Sequence, residues 1–256
     1  MSKTRQKKYW YVVDNILRTT DIIIEVLDSR FPNQTKNTIL AFKIKQYGRK
    51  HIILLNKSDL VPKKYLYKHY NELKEIALTI PFSCKERRGK LKLKKLILTL
   101  MKKRPLNVGV VGYPNVGKSS VINYLKGRKS AKTSTTAGFT KGQQWIRMSK
   151  DILLIDTPGV IPFKENNRVK LILKSAITNV KDPESTAADI LELLAQSHKT
   201  DLEKFYKVKV SKSGYLTLER IAESKKLLKK GGILDLQRAG LLIIQDWQKN
   251  RIKIYK

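Results

Sequence analysis

Apolar residues in the first hundred positions are concentrated in short runs without strict alternation, at 21–28, 51–55 and 78–82. Such runs are typical of parallel strands that are buried on both faces. The segments 9–20, 35–48 and 63–78 instead have the spacing of amphipathic helices. Strands that alternate with helices in this way predict a parallel sheet covered by helices.

Two further apolar runs, 107–112 and 151–155, extend the predicted sheet. After about residue 180 the pattern is helical only. We therefore expect an α/β domain over residues 1–178, with a mostly parallel sheet and helices on both faces, and a small all-helical domain over residues 179–256.

Three helices are predicted in the second domain. Asp182, followed by a proline, is a helix-capping residue and should begin the first of them. The second should begin at Thr217 and stop at the glycine pair 231–232, with Lys229 and Lys230 in its last turn. The third should begin at Asp235.

The chain carries far more positive charge than a domain of this fold needs. Lys and Arg number 54 against 21 Asp and Glu, a net charge of +33. Residues 181–256 hold 16 basic and 10 acidic side chains, a net of +6, so the first 180 residues carry +27. A heat-adapted surface would mix Lys with Glu more evenly. An excess of this size predicts a polyanionic partner, with nucleic acid the leading candidate and a membrane surface the lesser one.

The segment 85–104 is especially basic, with ten Lys or Arg and one Glu. Its leucines and isoleucine recur at a partly helical spacing, which predicts an amphipathic helix with a solvated basic face. The same face is a candidate contact for RNA phosphates.

A membrane-spanning segment and disulfide bonds are not expected. No apolar run approaches the about 20 residues that span a bilayer, and no lipidation motif is present. The basic N-terminal segment lacks the apolar region and cleavage site of a signal peptide. The single cysteine, Cys84, leaves no intramolecular disulfide and no multi-cysteine zinc site. We predict a cytoplasmic protein.

A glycine-rich segment lies between a predicted strand and a predicted helix, at 112–119. It has the pattern Gly-x4-Gly-Lys-Ser, whose backbone N–H groups cradle phosphates. Lys118 should meet the β- and γ-phosphates and assist catalysis, and Ser119 should bind Mg²⁺. The other nucleotide-binding residues expected in this loop are Asn115, Val116, Gly117 and Ser120.

A second phosphate-sensing element is predicted at 156–159, Asp-Thr-Pro-Gly, after an apolar strand. Asp156 should hold Mg²⁺, directly or through water, and the Gly159 N–H should bond the γ-phosphate and serve catalysis. The hydroxyl-rich segment before it offers a further Mg²⁺ ligand, with Thr135, Thr136 and Thr140 as candidates.

A base-reading element is predicted at 56–59, Asn-Lys-Ser-Asp. The Asp59 carboxylate can accept from N1–H and the amino group of guanine, whereas adenine offers neither donor. Asn56 should bind the N7 side, and Lys57 should pack along the base. An ATP-dependent RNA enzyme is therefore disfavoured.

The base-reading element precedes the phosphate loop, whereas an ordinary GTPase has the opposite order. If both bind one nucleotide, the Ras-like P-loop fold is circularly permuted. The order of five elements resembles that of the YlqF/RbgA-type circularly permuted GTPases. These elements are Asn-Lys-Ser-Asp, Ser83-Cys84-Lys85, the phosphate loop, Gly-Phe-Thr140 and Asp-Thr-Pro-Gly.

Other segments share the resemblance. Positions 28–32, Asp-Ser-Arg-Phe-Pro, look like that family's Asp-Ala-Arg-x-Pro signature, and 141–145 and the tail through Gly240 are also similar. The resemblance implies that Ser83, Cys84 and Lys85 close the base pocket and that Thr140 is the switch Mg²⁺ ligand. It also implies GTP and GDP as ligands and a role in assembling the large ribosomal subunit, with contacts to rRNA, by a protein that is monomeric off the ribosome.

The residue that orients the attacking water is not evident. Val160 and Ile161 stand where many GTPases carry a glutamine. This resembles the class in which K⁺, held partly by the phosphate-loop asparagine, here Asn115, supplies positive charge. The N-terminal histidine of bacterial members has no counterpart here. We expect slow hydrolysis, raised by K⁺ and by ribosomal particles.

Two functions remain open from the sequence. One is a GTP-gated assembly factor for the large subunit. The other is a constitutive RNA-binding protein in which the nucleotide is structural or its hydrolysis incidental.

Overall fold

The computed structural model describes residues 3–100, 105–126, 144–149, 151–156, 182–249 and 251–252. The chain forms two compact units, residues 1–164 and 165–256. The expected domain boundary at 178/179 lies outside the described residues.

The first unit alternates helices and strands. Its helices are α1 (Lys3–Thr19), α2 (Pro32–Thr35), α3 (Thr38–Gln46), α4 (Lys63–Lys74), α5 (Lys90–Thr99) and α6 (Lys118–Lys126). Its strands are β1 (Ile22–Asp28), β2 (Lys50–Asn56), β3 (Leu78–Pro81), β4 (Leu106–Val111), β5 (Gln144–Ser149) and β6 (Ile152–Asp156). A short 3-10 turn, Ser58–Leu60, follows β2.

The strands form one sheet in the order β3-β2-β1-β4-β6-β5. All neighbouring pairs are parallel except β5, which runs antiparallel to β6 at the edge. The prediction of a mostly parallel α/β sheet is confirmed. Sequence reasoning did not predict β5.

Helices cover both faces of the sheet, as the alternation of side chains in β2 demonstrates. Ile52 and Leu54 belong to a core that also contains residues of α1, α3, α5 and α6. Ile53 and Leu55 point the other way and pack with Leu73 of α4 in a smaller core. Successive strand residues face opposite sides, so α4 lies on the opposite face from α3.

A buried carboxylate interrupts the apolar run of β1. Glu25 is fully buried, and its Oε1 accepts a hydrogen bond from the Asn37 N–H at 2.9 Å. Its Oε2 lies 3.0 Å from His51 Nε2. The Asn37 side chain caps α3 by accepting from Leu40 N and also donates to the Tyr113 hydroxyl at 3.3 Å. The network thus connects β1 and β2 to the loop after β4.

The second unit contains α7 (Pro183–Tyr206), α8 (Gly214–Ser224) and α9 (Leu236–Gln248). Each begins at a side-chain cap, supplied by Asp182, Ser213 and Asp235. Helix α7 contains a kink at His198, whose φ and ψ are not helical. A Cβ added at Gly240 of α9 would lie 2.5 Å from the Pro183 carbonyl oxygen, so this glycine permits α9 to cross closely over the start of α7.

The prediction for the second helix of this unit is wrong at both ends. Helix α8 begins after the Ser213 cap rather than at Thr217, and it ends at Ser224 rather than at the glycine pair. Lys226 adopts a left-handed φ of 52°. The N–H groups of Lys226 and Leu227 bond the carbonyls of Glu223 and Ala222, which is the hydrogen-bond pattern of a Schellman motif. Glycine is the usual residue at the left-handed position of this motif, so the lysine at 226 gave no sequence signal that the helix ends here.

No helix in the described part of the chain is long and apolar enough to cross a membrane.

Candidate functional site

The predicted functional segments meet at one edge of the sheet. Asp28 and Asn56 are the last residues of β1 and β2, and they are paired in register. The phosphate loop follows β4, and Asp156 is the last residue of β6, paired with Val110 of β4. Carboxyl ends of parallel strands form the crevice in which α/β proteins bind ligands.

The phosphate loop spans residues 112–117, between β4 and α6. Gly112 and Gly117 have φ of +151° and +98°. A Cβ at Gly112 would lie 2.6 Å from the Val26 carbonyl oxygen, and one at Gly117 would collide with Asn56 Nδ2. Both glycines are therefore needed for the close approach of this loop to its neighbours.

The loop residues predicted to meet phosphate and metal lie at the start of α6. Lys118 is 7% exposed, and its Nζ donates to the Tyr113 carbonyl oxygen at 2.7 Å. Ser119 and Ser120 are exposed in the first turn of the helix. A helix N-terminus with a lysine and hydroxyls beside it fits an anion accompanied by Mg²⁺.

Asn56 connects the base-reading segment to the phosphate loop. Its side chain is buried, and Nδ2 donates to the Val116 carbonyl oxygen at 2.8 Å. The Cys84 thiol lies 3.8 Å from its Oδ1. An amide nitrogen can donate two hydrogen bonds, so the Val116 contact is compatible with a second bond to a purine N7.

Asp59 is oriented by the segment after β3. The Ser83 hydroxyl, which is fully buried, donates to Asp59 Oδ1 at 2.6 Å, and Ser83 Oγ in turn accepts from the Glu86 N–H at 3.0 Å. The Ser58 N–H bonds the Phe82 carbonyl oxygen at 3.0 Å. The two segments predicted to form the base pocket are therefore joined directly.

Cys84 packs beside this pocket while Lys85 is exposed. Burial, and secondarily the Asp59 carboxylate, raise the pKa of the Cys84 thiol to about 11. The thiol is protonated at neutral pH, when cysteine is a poor nucleophile. The structure thus supports packing rather than reactivity for this side chain.

Sequence reasoning noted positions 28–32 as a family-like signature but gave them no role. Arg30 Nε and Nη2 donate to the two carboxylate oxygens of Asp28 at 3.0 and 2.8 Å. Both side chains are buried, with 2% of Arg30 and 0% of Asp28 exposed. Bidentate pairs of this kind fix both partners in orientation.

The same carboxylate holds the lysine of the base-reading segment. Lys57 Nζ donates to Asp28 Oδ2 at 2.7 Å and to the Asn115 carbonyl oxygen at 2.8 Å. Lys57 has a left-handed φ of 61°. Asp28, which no spacing rule marks, therefore positions a predicted base contact against the phosphate loop.

The charge state of Asp28 follows from its partners. Burial alone would raise the pKa of this carboxyl, but Arg30 and Lys57 together hold it well below its ordinary value. The pKa of Lys57 is lowered, chiefly by burial, against the opposing attraction of Asp28. A carboxylate between two cations is the arrangement expected to remain ionised when buried.

Several predicted site residues fall outside the described part of the chain. These are Gly159, Thr140 and its alternatives Thr135 and Thr136. Asp156 is described through its backbone only, at the end of β6. Asn115 is exposed, with a left-handed φ of 62°, and Val116 is buried.

The fold and the site together define a P-loop GTPase in which the base-reading segment precedes the phosphate loop. A family model described as 50S ribosome-binding GTPase matches residues 107–220, beginning within β4. The crystal structure of GNP-bound YlqF from T. maritima superposes with a TM-score of 0.70 at 27% identity, over 96% of each chain. Its GDP-bound structure gives 0.68 at 26% identity. The chain belongs to the YlqF-type circularly permuted GTPases.

Two relatives align with nearly the whole of this chain. An uncharacterized GTP-binding protein of Methanocaldococcus jannaschii is 38% identical over 96% of this chain and 66% of its own length. Nuclear/nucleolar GTPase 2 of Arabidopsis thaliana is 33% identical over 99% of this chain and 45% of its own length. The chain thus spans about two thirds of the archaeal relative and less than half of the plant relative.

Proposed function

We propose that this protein binds and hydrolyses GTP and serves as an assembly factor for the large ribosomal subunit. The observation that carries the nucleotide part is the direct contact between the two halves of the site. Asn56 bonds the Val116 carbonyl and Lys57 bonds the Asn115 carbonyl. A base pocket and a phosphate loop joined in this way fit a single guanine nucleotide.

Each site residue has a proposed task. Asp59, oriented by Ser83, accepts from the guanine N1–H and amino group, and the Ser83-Cys84-Lys85 segment closes the pocket. Lys118 neutralises the β- and γ-phosphates. Ser119, Thr140 and Asp156 are proposed for Mg²⁺, which when bound shields the charge of the phosphates. The Gly159 N–H would meet the γ-phosphate.

Hydrolysis is proposed to be slow without a partner. No glutamine follows Gly159, where Val160 and Ile161 stand. We assign K⁺, held partly by Asn115, as a source of positive charge at the phosphates. Turnover compared in KCl and NaCl at equal ionic strength tests this assignment, and equal rates would contradict it.

The ribosomal part of the proposal rests on charge and relatives. The net charge of +33 fits a polyanion. The matching family model is named for 50S ribosome binding, and a relative is named a nuclear/nucleolar GTPase. We propose rRNA in precursors of the large subunit as the partner, contacted by the basic helix α5 and by the helical unit, proposed to span residues 179–256. The cytoplasm remains our prediction for the compartment, and a monomer our prediction for the free protein.

A constitutive RNA-binding protein is the second candidate. The charge excess that favours RNA does not depend on a nucleotide, which is the observation in its support. Co-sedimentation with large-subunit precursors at moderate salt separates the two. Binding that strengthens with a nonhydrolysable GTP analogue supports the gated factor, and equal binding with GDP or no nucleotide supports the constitutive one. No binding would remove the ribosomal role.

The Asp59→Asn variant tests the base pocket. An amide cannot accept from both guanine donors, so we expect GTP affinity to fall at least about tenfold, a change of 1.4 kcal/mol, while affinity for XTP rises. Fluorescent-nucleotide titration measures both. Glu75→Gln, an exposed acid-to-amide change on the same unit, is the matched control and should leave GTP affinity unchanged. Unaltered GTP affinity in Asp59→Asn would place the base elsewhere.

A further inference from the structure

The connection between α8 and α9 is an exposed basic segment, which we call the basic turn (residues 225–234). It contains Lys225, Lys226, Lys229 and Lys230, all exposed, and no acidic residue. Asp235 closes it by capping α9. The turn therefore concentrates positive charge at one end of the helical unit.

The base of the basic turn is fixed by backbone hydrogen bonds. The Leu227 N–H bonds the Ala222 carbonyl at 2.9 Å, and the Asp235 N–H bonds the Leu227 carbonyl at 2.8 Å. Leu228 and Leu234 form an antiparallel bridge, and within it the Lys229 N–H bonds the Ile233 carbonyl at 2.8 Å. The tip, residues 229–233, is thus held in a defined shape.

The tip is open on its outer side. Gly231 and Gly232 have φ of +86° and +78°, and a Cβ added to either would meet no heavy atom within 4 Å. Leu228 is 49% exposed and Ile233 is 68% exposed beside them. Two successive glycines therefore present bare backbone to solvent, flanked by lysines and by two apolar side chains.

We propose that the basic turn grips an RNA backbone, with a phosphate against the Gly231–Gly232 main chain and the lysines on neighbouring phosphates. This inference rests on the proposed function, since it names the surface of the helical unit that meets rRNA. Glycine permits close approach of backbone to a phosphodiester chain, as in the glycine loop of KH domains. Lysine ammonium groups act on phosphates as point charges, and the exposed Ile233 can pack on a ribose.

RNA fits this surface better than a lipid bilayer does. Helices that bind a membrane surface present a broad apolar face with a basic border, whereas the basic turn offers Leu228 and Ile233 alone. The four lysines of the basic turn all precede its glycine pair, and such a row of closely spaced cations matches the repeat of charges along a nucleic-acid strand.

Charge reversal tests the proposal in the full chain. We expect Lys229→Glu/Lys230→Glu to lower affinity for protein-free large-subunit rRNA at least about tenfold at 100 mM KCl, and to reduce the salt slope of binding by about two. Lys209→Glu/Lys212→Glu, with two exposed loop lysines of the same unit, makes the same change in net charge and should cost less than about threefold. Filter binding over a KCl series measures both.

A second variant removes the close approach and keeps the charge. Asparagine tolerates left-handed φ, so Gly231→Asn/Gly232→Asn should keep the turn folded while placing side chains over the tip. We expect about tenfold weaker rRNA binding with the wild-type salt slope. Wild-type affinity in this variant would overturn the backbone contact.

The outcomes separate this inference from the proposed function. If the wild type does not bind rRNA, the ribosomal role itself fails. If it binds but both lysine pairs weaken binding equally, the basic turn is not the contact. Binding to phosphatidylserine vesicles that depends on Lys229 and Lys230, with rRNA binding unaffected, would assign the turn to a membrane and overturn the proposal. GDP affinity, measured in every variant, should be unchanged because the nucleotide site is on the other unit.

Discussion

Asp28 connects the family-like signature to the base-reading segment of the candidate nucleotide site. Its buried carboxylate accepts from Arg30 through two bonds and from Lys57 through a third. Lys57 reaches the phosphate loop at Asn115. Removing the charge of Asp28 would leave the buried Arg30 and the partly exposed Lys57 without their anion, which is costly.

We predict that Asp28→Asn destabilises the first unit by about 3–5 kcal/mol, the typical cost of breaking a buried ion pair, and weakens GDP binding at least tenfold. Asparagine keeps the size of the side chain but loses the anion. Urea unfolding and fluorescent-GDP titration measure the two effects.

Asp14→Asn is the matched control, since Asp14 forms a partly exposed ion pair with Lys43 at 2.7 Å. Its cost should not exceed about 1 kcal/mol, with GDP affinity unchanged.

The pH dependence of the free energy of unfolding gives a further check on the Asp28 charge. A carboxyl whose folded pKa is depressed contributes stability above its unfolded pKa, about 3.9, and that stability is lost as the pH falls through the folded pKa. The gap between wild type and Asp28→Asn should therefore be constant from pH 5 to 8 and shrink below about pH 4; a constant gap at all pH values would contradict the role of the charge.

Some contacts within the candidate nucleotide site could be predicted from the sequence and others could not. Asn56, Asp59 and Lys118 lie in motifs whose spacing is dictated by the shape of a nucleotide, so their proximity could be predicted. The contact of Lys57 with Asp28 depends on the register of β1 against β2, which no local pattern encodes. The Ser29 hydroxyl is a buried side-chain atom without a hydrogen-bond partner; the family signature has alanine at this position, so this hydroxyl is not required by the fold.

Elements were predictable where their signals are local. The cap residues Asp182 and Asp235 begin helices as expected because a side-chain cap acts within a single turn. The end of α8 was missed because its left-handed residue is Lys226. The segment 35–48 was predicted as one helix, but α2 ends at Thr35 and Asn37 caps α3. Strand β5 was missed because it is the edge strand of the sheet and depends on its antiparallel pairing with β6, which is a feature of the fold rather than of its own sequence.

At the level of helix packing, we predict that Gly240→Ala destabilises the helical unit by about 1–3 kcal/mol, the usual cost of overpacking. Alanine favours a helix by about 1 kcal/mol over glycine, but here its Cβ would lie 2.5 Å from the Pro183 carbonyl oxygen. Hydrogen exchange of peptides from α7 and α9 measures the loss of protection. Gln237→Ala, an exposed change on the same helix, should leave hydrogen exchange unaffected. Equal protection in both variants would mean that α7 and α9 accommodate the added methyl group without loss of stability, which would contradict the prediction.

For the whole molecule, the dominant property is its net charge of +33. Like charges on a compact chain repel one another and oppose folding. At 0.1 M salt, exposed charges that lie more than about 10 Å apart are largely screened from one another. Charge repulsion therefore lowers the free energy of unfolding of the free protein. A bound polyanion would reduce this repulsion.

We accordingly predict that the melting temperature rises by a few degrees between 50 and 300 mM KCl. Differential scanning fluorimetry without nucleotide measures it. Choline chloride at the same ionic strength should give the same rise, which separates screening from a specific K⁺ effect. A melting temperature that falls with salt would mean that attractive ion pairs open to solvent, such as Lys43 with Asp14, outweigh the repulsion.

The position of β1 between β2 and β4 has a consequence during synthesis. All seven residues of β1 are buried, yet β4 begins roughly 80 residues after β1 ends. At about 5–20 residues per second, a nascent chain carries one unpaired edge of this fully buried strand for about 4–16 s before the partner strand leaves the ribosome. An ordinary GTPase makes its phosphate-loop strand first, so the permutation reverses the order in which the two halves of the sheet are synthesised. In this chain the half that contains β1 is made first, and until β4 follows, it exposes an unpaired strand edge of the kind that is prone to aggregate.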